Sequence, residues 1–138
     1  MPAKDIHHAA MRSALQQAGW TITHDPYFFS VGKVDFYIDL GAEQLIAAEK
    51  GNQKIAIEIK SFIQASPVQA FHEAIGQFVN YRSALEEKEP QRKLFLAVPD
   101  TAYEDFFQRP FVQKMIRQLS VSLLIYDPIQ PSIIQWIA

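Results

Sequence analysis

The segment VDFYIDLGAEQLIAAEKGNQKIAIEIK, residues 34–60, decides the fold because it contains two β-prone arms around a tight turn. Residues 34–40 alternate between two faces, which is typical of a strand. Residues 45–49 and 54–60 flank a turn at 50–53 that contains Gly-Asn, a pattern that predicts a β-hairpin. We therefore expect a sheet with this hairpin near its centre.

Helical and β-prone segments continue on both sides of the hairpin. The predicted elements are a helix over 4–19, a short strand at 21–23, a loop at 27–33 with a turn at Gly32, a helix from Ser66 (N-cap) and Pro67 to about 86–89, a buried strand at 93–98, a helix over 101–119 interrupted at Pro110, and strands at 121–126 and 133–137. The order α-β-β-β-α-β-α-β-β predicts an α/β (α+β) fold, with a mixed central β-sheet flanked by helices.

Length and composition exclude several classes of protein. The chain has 138 residues, of which 49% are hydrophobic and 20% charged, and we expect a single domain over residues 1–138. The absence of cysteine excludes a disulfide scaffold, a thiolate zinc site and a cysteine nucleophile. A formal net charge of −2 excludes a basic coat for nucleic acid, although it permits a local basic patch.

The same composition bears on location. No apolar run approaches the ~20 residues that cross a bilayer, so we expect no membrane partner. The opening stretch MPAKDIHH has no apolar signal core. These features predict a cytoplasmic protein.

Two charged residues, Glu58 and Lys60, share one face of the segment 54–60, and three isoleucines occupy the other face. Charges on an inner strand are costly unless they are paired or bound to a ligand. The pattern therefore has two interpretations. Either this is an edge strand with a solvated polar face, or Glu58 binds a divalent cation and Lys60 lies beside a water that attacks a phosphate.

A cation site of this kind requires a second carboxylate nearby. Asp39 is the first choice, because it ends the preceding strand just before Gly41, where the backbone can bend towards Glu58. Asp35 lies on the same strand face, and Glu49 lies on the adjoining arm of the hairpin. All three acids remain candidates at this point.

The order of these elements resembles the core of the PD-(D/E)XK nuclease superfamily, which has a restriction-endonuclease-like fold. Within that superfamily the sequence resembles the XisH family of fdxN element excision controlling factors. The matching segments span nearly the whole chain: AKDIHHAA (3–10), GWTITHDP (19–26), DFYIDLGAEQLIAAEKGNQKIAIEIKSF (35–62), AIGQFVNYR (74–82), LFLAVP (94–99), YDP (126–128) and IIQWI (133–137).

The resemblance implies roles for particular residues. Glu58 and Lys60 match the Glu-x-Lys strand, and Asp39, with Asp35 as the competing match, takes the preceding acid position. Asp39 and Glu58 would then hold Mg²⁺ or Mn²⁺, with Lys60 as the third catalytic residue. His8 stands where the superfamily often has a glutamate on the first helix, and Gln77 is the polar residue on the following helix.

The resemblance also implies a function and partners. The expected activity is that of a metal-dependent DNA endonuclease-like factor, which controls excision of an fdxN-type DNA element during heterocyst differentiation in cyanobacteria. The alternative is a non-catalytic accessory protein that binds a XisI-type partner or the XisF recombinase. The net charge predicts weak binding to DNA by this chain alone.

Apolar residues near the C-terminal end predict an interaction surface. Phe106, Phe107, Phe111, Trp136 and the segment 129–138 carry more apolar surface than one small core requires. Exposed apolar patches commonly mark interaction sites. We therefore expect a homodimer, or a XisI-type partner, to cover part of this surface.

Overall fold

The fold is a six-stranded mixed β-sheet with helices on both faces, together with a separate two-stranded hairpin. A computed structural model describes residues 4–47, 51–63 and 66–138. The helices are α1 (His8–Gln17), α2 (Pro67–Lys88), α3 (Asp100–Glu104) and α4 (Pro110–Gln118), with a 3₁₀ turn at Phe106–Gln108. The strands are β1 (Thr21–His24), β2 (Tyr27–Val31), β3 (Val34–Ile38), β4 (Leu40–Ala47), β5 (Gly51–Ile59), β6 (Arg92–Pro99), β7 (Leu123–Asp127) and β8 (Ser132–Ile137).

The strand order in the large sheet is β1-β4-β5-β6-β7-β8. Strands β5, β6 and β7 run parallel to one another, whereas β1–β4, β4–β5 and β7–β8 are antiparallel pairs. The predicted mixed sheet flanked by helices is therefore confirmed. Because β5 pairs with a strand on each side, the edge-strand interpretation of Glu58 is wrong.

Strand β5 separates two apolar clusters. Its three isoleucines, Ile55, Ile57 and Ile59, pack against the cluster that contains Met11 and Leu15 of α1. Its opposite face contributes Ala56 to the cluster that contains Ala74 and Phe78 of α2. Because side chains alternate along a strand, Glu58 and Lys60 also lie towards α2. Burial of the isoleucine face against α1 thus turns the face that carries Glu58 and Lys60 towards α2.

The prediction of a loop over residues 27–33 is wrong, because residues 27–31 form strand β2. Tyr27 and Phe29 are buried in the cluster beneath α2, and β2 pairs with β3 from Tyr27 opposite Ile38 to Val31 opposite Val34. The predicted turn at Gly32 is present, and both Gly32 and Lys33 have positive φ, as a tight hairpin turn requires. Burial of alternate aromatic side chains, rather than any signal in the turn, makes this segment a strand.

The strand predicted over residues 34–40 is divided, because β3 ends at Ile38 and Leu40 opens β4 in the other sheet. Gly41 lies inside β4, opposite Ala56, and does not form the predicted bend. A Cβ on Gly41 would lie 3.0 Å from Nδ1 of His24 and 3.3 Å from Nη1 of Arg92. Glycine at this position therefore allows the side chains of His24 and Arg92 to approach the backbone closely, and it does not serve as a turn.

The predicted helix over 101–119 is divided into α3, the 3₁₀ turn and α4, with Pro110 in the first turn of α4. Phe106 and Phe107, in the 3₁₀ turn, are buried in the core, so their assignment to an exposed surface is wrong. Phe111 and Trp136 do have exposed side chains. None of the helices in the described part of the chain is long and apolar enough to span a membrane.

Candidate metal-binding active site

The pairing of β4 with β5 brings two carboxylates together. Leu40 pairs with Ile57 in an antiparallel register, so Asp39, which precedes Leu40, lies across from Glu58. The Oδ2 atom of Asp39 accepts a hydrogen bond of 2.7 Å from the backbone N–H of Ile59. The structure thus brings Asp39 and Glu58, the predicted pair, to one place.

These carboxylates line a small polar cavity of about 150 Å³ between the end of β5, the hairpin and α2. The lining residues are Asp5, Tyr37, Asp39, Glu58, Ile59, Lys60, Gln77 and Tyr81. All three predicted catalytic residues are among them, and so is Gln77. The larger grooves of about 670 and 480 Å³ lie elsewhere and contain neither Asp39 nor Glu58.

Two oxygens in this cavity lack partners. Oε1 of Glu58 and Oε1 of Gln77 are both buried and accept no hydrogen bond from the described residues. A buried acceptor without a partner costs about 1–3 kcal/mol, and more when it is charged. Carboxylate and amide oxygens are the ligands that Mg²⁺ prefers, so a divalent cation is a partner of the right chemistry for each of them. The donor atoms at this site therefore fit such an ion.

The two acids interact strongly. Burial raises the pKa of Glu58 well above its usual range, and the adjacent Asp39 carboxylate raises it further, whereas Lys60 lowers it. Burial also raises the pKa of Asp39, against the lowering effect of the Ile59 N–H bond and of His8. Two buried carboxylates that resist simultaneous ionisation are a recognised feature of functional sites. A bound cation would favour the ionised form of both.

Lys60 and Tyr81 bring further polar groups to the cavity. Nζ of Lys60 lies 3.8 Å from Oε2 of Glu58, and its side chain is only partly exposed. Burial, followed by the charges of Glu58 and Asp39, raises the pKa of Tyr81 to about 12. Its hydroxyl therefore remains a proton donor throughout the physiological range, beside an acidic site.

The described residues contain no cluster of three or more His, Asp or Glu side chains suited to hold a metal ion. The chain would therefore supply two carboxylates and an amide oxygen. Water would complete the coordination, as is common for Mg²⁺, which keeps several of its waters.

Three predicted residues lie outside the cavity or beyond the described residues. His8 is buried, but its Nε2 atom is hydrogen-bonded to Oδ1 of Asp25 at 2.7 Å, and it does not line the cavity. Asp35 is exposed on β3, where it accepts a hydrogen bond of 2.6 Å from Ser30. Glu49 falls outside the described residues. Asp39 is thus the predicted acid that the structure brings to Glu58.

Asp5 also lines the cavity, and no motif in the sequence predicts its position there. Its Oδ1 accepts a hydrogen bond of 2.8 Å from the N–H of His7, and its Oδ2 accepts one of 3.1 Å from the N–H of Ser61. The second bond ties the segment before α1 to the chain just beyond Lys60. No local pattern predicts it, because 56 residues separate the two partners.

Tyr37 is a second lining residue that is absent from the predicted site. Here a signal was present, because Tyr37 shares the strand face of Asp35 and Asp39. Alternation along β3 and on to Asp39 places Tyr37 next to the acid that meets Glu58.

Comparisons with known proteins agree with the resemblance read from the sequence. The family model described as XisH protein matches residues 1–134. The crystal structure of an XisH family protein from Nostoc punctiforme PCC 73102 has a TM-score of 0.89 and 45% sequence identity, covering 97% of this chain and 100% of that chain. A comparison with curated proteins gives no significant match.

A second crystal structure is similar to the same degree. It is that of an fdxN element excision controlling factor protein from Anabaena variabilis, with a TM-score of 0.89 and 45% identity, covering 98% of this chain and 100% of that chain. Both similarities cover nearly the whole of this chain. The predicted family is confirmed: this chain belongs to the XisH family.

Proposed function

We propose that this chain is a metal-dependent, PD-(D/E)XK-type nuclease that acts on DNA in the controlled excision of a DNA element. The observation that carries the proposal is that Asp39 lies across from Glu58 in the pairing of β4 with β5. One buried oxygen of Glu58 accepts no hydrogen bond from the described residues, and the other lies 3.8 Å from Nζ of Lys60. Excision control is the role named for the Anabaena variabilis relative. The XisH family resemblance implies an fdxN-type element as the context.

The proposed reaction is hydrolysis of a phosphodiester. A water molecule loses a proton as its oxygen forms a bond to phosphorus, and the bond from phosphorus to one sugar oxygen breaks. That sugar oxygen gains a proton, so the products are a phosphate monoester and a free sugar hydroxyl. Asp39 and Glu58 would hold Mg²⁺ or Mn²⁺, which lowers the pKa of water and screens the negative charge of the phosphate. The ammonium group of Lys60 orients the attacking water and stabilises the charge that develops on the phosphate oxygens.

Two side chains of α2 complete the arrangement. Gln77 presents its free Oε1 atom to the same cavity, where it can bind the cation or accept a hydrogen bond from the attacking water. Tyr81 retains its proton and can donate a hydrogen bond to a phosphate oxygen. Their position one helical turn apart places both on the face of α2 that covers Glu58.

The proposal is tested with purified protein and supercoiled plasmid DNA. We expect nicking in Mg²⁺ or Mn²⁺ that EDTA abolishes. Glu58→Gln and Lys60→Ala should each reduce the rate at least ~100-fold, the scale of losing one preorganised electrostatic group. The matched control is Glu87→Gln, an exposed position on α2, which should cut at the wild-type rate. Cleavage that persists in both cavity variants would assign the activity to another site or to a contaminant.

A second function, that of a non-catalytic accessory protein, is favoured by the edge of the sheet at β8. Among the described residues this strand pairs only with β7. It exposes Ile134 and one side of Trp136, whose ring packs against Phe95, and Ile129 just before it is 89% exposed. The XisH family resemblance suggests a XisI-type protein or the recombinase as partner, and a homodimer is the simpler alternative. Trp136→Ser should weaken such an association in sedimentation experiments. Retained partner binding by a wild-type protein that never cuts DNA would favour this second function.

A further inference from the structure

The outer face of the β2–β3 hairpin carries an aromatic pair. Phe28 and Tyr37 lie directly opposite each other in the register of the two strands, with ring centroids 4.8 Å apart. The inner face of the same hairpin packs in the core through Tyr27 and Phe29, so the aromatic pair is not needed for that packing. Phe28 is 45% exposed. The open side of this ring pair is therefore available to a ligand.

This pair is continuous with the cavity. Tyr37 contacts Phe28 on one side and lines the polar cavity on the other, two residues before Asp39. A ligand that stacks on Phe28 would therefore extend directly towards Asp39 and Glu58. Two residues of fully extended chain span at most about 7 Å, so Tyr37 lies close to Asp39.

We propose that Phe28 and Tyr37 form a stacking platform for an unpaired nucleobase, so that the substrate of the cavity is single-stranded DNA. This inference rests on the proposed nuclease function, because it assigns the substrate class of that same site. Aromatic rings recognise single strands by stacking on the faces of the bases, which a duplex does not expose. One base on the platform would set the adjacent phosphate over the two carboxylates.

The charge of the chain gives no support for tight binding of a duplex. Duplex affinity depends mainly on neutralising closely spaced phosphates with Lys and Arg, and this chain has a formal net charge of −2. Stacking needs no positive charge, so it remains available to such a protein. On the same hairpin, the exposed Lys33 lies at the turn, and the exposed Asp35 lies between that turn and Tyr37.

The depth of the site points to the same substrate. Glu58 is only 5% exposed, at the base of a recess of about 150 Å³. A flexible single strand can bend one phosphate into such a recess while its base rests on the rim. In a duplex, pairing and stacking hold the backbone on a regular path and restrict this bending.

The test measures binding by fluorescence anisotropy, in EDTA and at low salt, with a labelled single strand of about 16 nucleotides and with its duplex. Wild-type protein should bind the single strand more tightly. Phe28→Ala should weaken that binding on the order of tenfold, as expected from about 1–3 kcal/mol per stacked base, and should leave duplex binding unchanged. Phe28→Tyr retains a ring and should retain the affinity.

The matched control is Phe111→Ala, which removes a 62% exposed phenylalanine from α4. It should change neither affinity. Equal binding of the single strand by the wild type and Phe28→Ala, or tighter binding of the duplex by the wild type, would overturn the inference. Thermal unfolding of each variant confirms that the fold is retained.

The outcomes for substrate class and for catalysis can be separated. Binding in EDTA does not depend on cleavage, so Phe28-dependent binding by a protein that never cuts DNA would support the platform and contradict the nuclease. Metal-dependent cutting that is equally fast on single strands in the wild type and Phe28→Ala would support the nuclease and contradict the platform.

Discussion

The carboxylate of Asp39 accepts a 2.7 Å hydrogen bond from the backbone N–H of Ile59, the residue that follows Glu58. Asp39 is the single residue between β3 and β4, which belong to different sheets. The point at which the chain passes from the hairpin to the central sheet therefore also supplies a candidate cation ligand. The hydrogen bond holds that ligand against the strand carrying the second acid.

Asp39, rather than Asp35, should determine cation affinity. Asp39→Asn removes one of the three carboxylates that line the cavity, and the one that lies across from Glu58. We therefore expect Mn²⁺ affinity, measured by isothermal titration calorimetry, to fall at least ~10-fold, comparable with the loss of groups around metal sites. Asp35→Asn changes an exposed acid outside the cavity and is the matched control. Similar losses in both variants would contradict the assignment.

Glu58→Gln should raise the stability of the metal-free protein. The pKa of Glu58 is raised in the folded protein, so the native state binds the extra proton, and the free energy of unfolding falls as the pH rises from about 4.5 through the folded value. Glutamine removes the buried charge and its repulsion with Asp39. We expect a higher Tm in EDTA at pH 8, by about 4 °C for each ~1 kcal/mol.

The gain from Glu58→Gln should shrink towards pH 4, where the wild-type carboxyl is protonated. Adding Mg²⁺ should raise the Tm of the wild type and leave that of the variant nearly unchanged. Differential scanning calorimetry over this pH range provides the measurement. A lower Tm for Glu58→Gln at pH 8 in EDTA would contradict the assigned electrostatic cost.

A second charged cluster should stabilise the fold, and its effect should have the opposite pH dependence. Glu89 accepts hydrogen bonds from Tyr27 (2.6 Å), Lys54 (3.2 Å) and the buried Arg92 (2.8 Å). Burial alone would raise the pKa of Glu89, but the hydrogen bonds from Arg92, Tyr27 and Lys54 lower it to about 2. The stabilisation is therefore present above the usual value of 4.5 and is lost as the pH falls towards 2.

Glu89→Gln tests this relationship by urea denaturation. At pH 7 the variant should lose about 3 kcal/mol, because it leaves the charge of Arg92 buried without a counter-ion. At pH 2.5 the difference from the wild type should be clearly smaller, because Glu89 is then protonated in the unfolded state and partly protonated in the folded state. Glu87→Gln, close by and exposed, should cost little at either pH. A constant loss at both pH values would argue against the ion pair.

Two glycines should respond in opposite ways to alanine. At Gly41 the added methyl group would lie 3.0 Å from His24, so Gly41→Ala should cost about 1–3 kcal/mol through overpacking. At Gly76, in the middle of α2, a Cβ would meet nothing within 4 Å, so Gly76→Ala should stabilise by about 0.5–1 kcal/mol. Chemical denaturation of the two variants checks both signs. An equal change in the free energy of unfolding for the two variants would show that close packing does not require glycine at position 41.

Local patterns determined much of the central sheet. Alternation in residues 54–60 assigned three isoleucines to the core and placed Glu58 and Lys60 on the other face, as the structure shows. Ser66 and Pro67 marked the start of α2, where the Ser66 hydroxyl accepts a hydrogen bond from the N–H of Gln69. Such features depend on neighbours within a few residues, so the sequence by itself is enough to predict them.

The tertiary structure decided which acid meets Glu58. Asp35 and Asp39 share one strand face and are chemically alike, so spacing alone could not separate them. The chain leaves the hairpin after Ile38, and the pairing of Leu40 with Ile57 then sets Asp39 against Glu58. Asp5 reaches Ser61 across 56 residues. Contacts of this kind depend on strand register and on helix packing, which arise from the burial of the whole apolar surface rather than from any one segment.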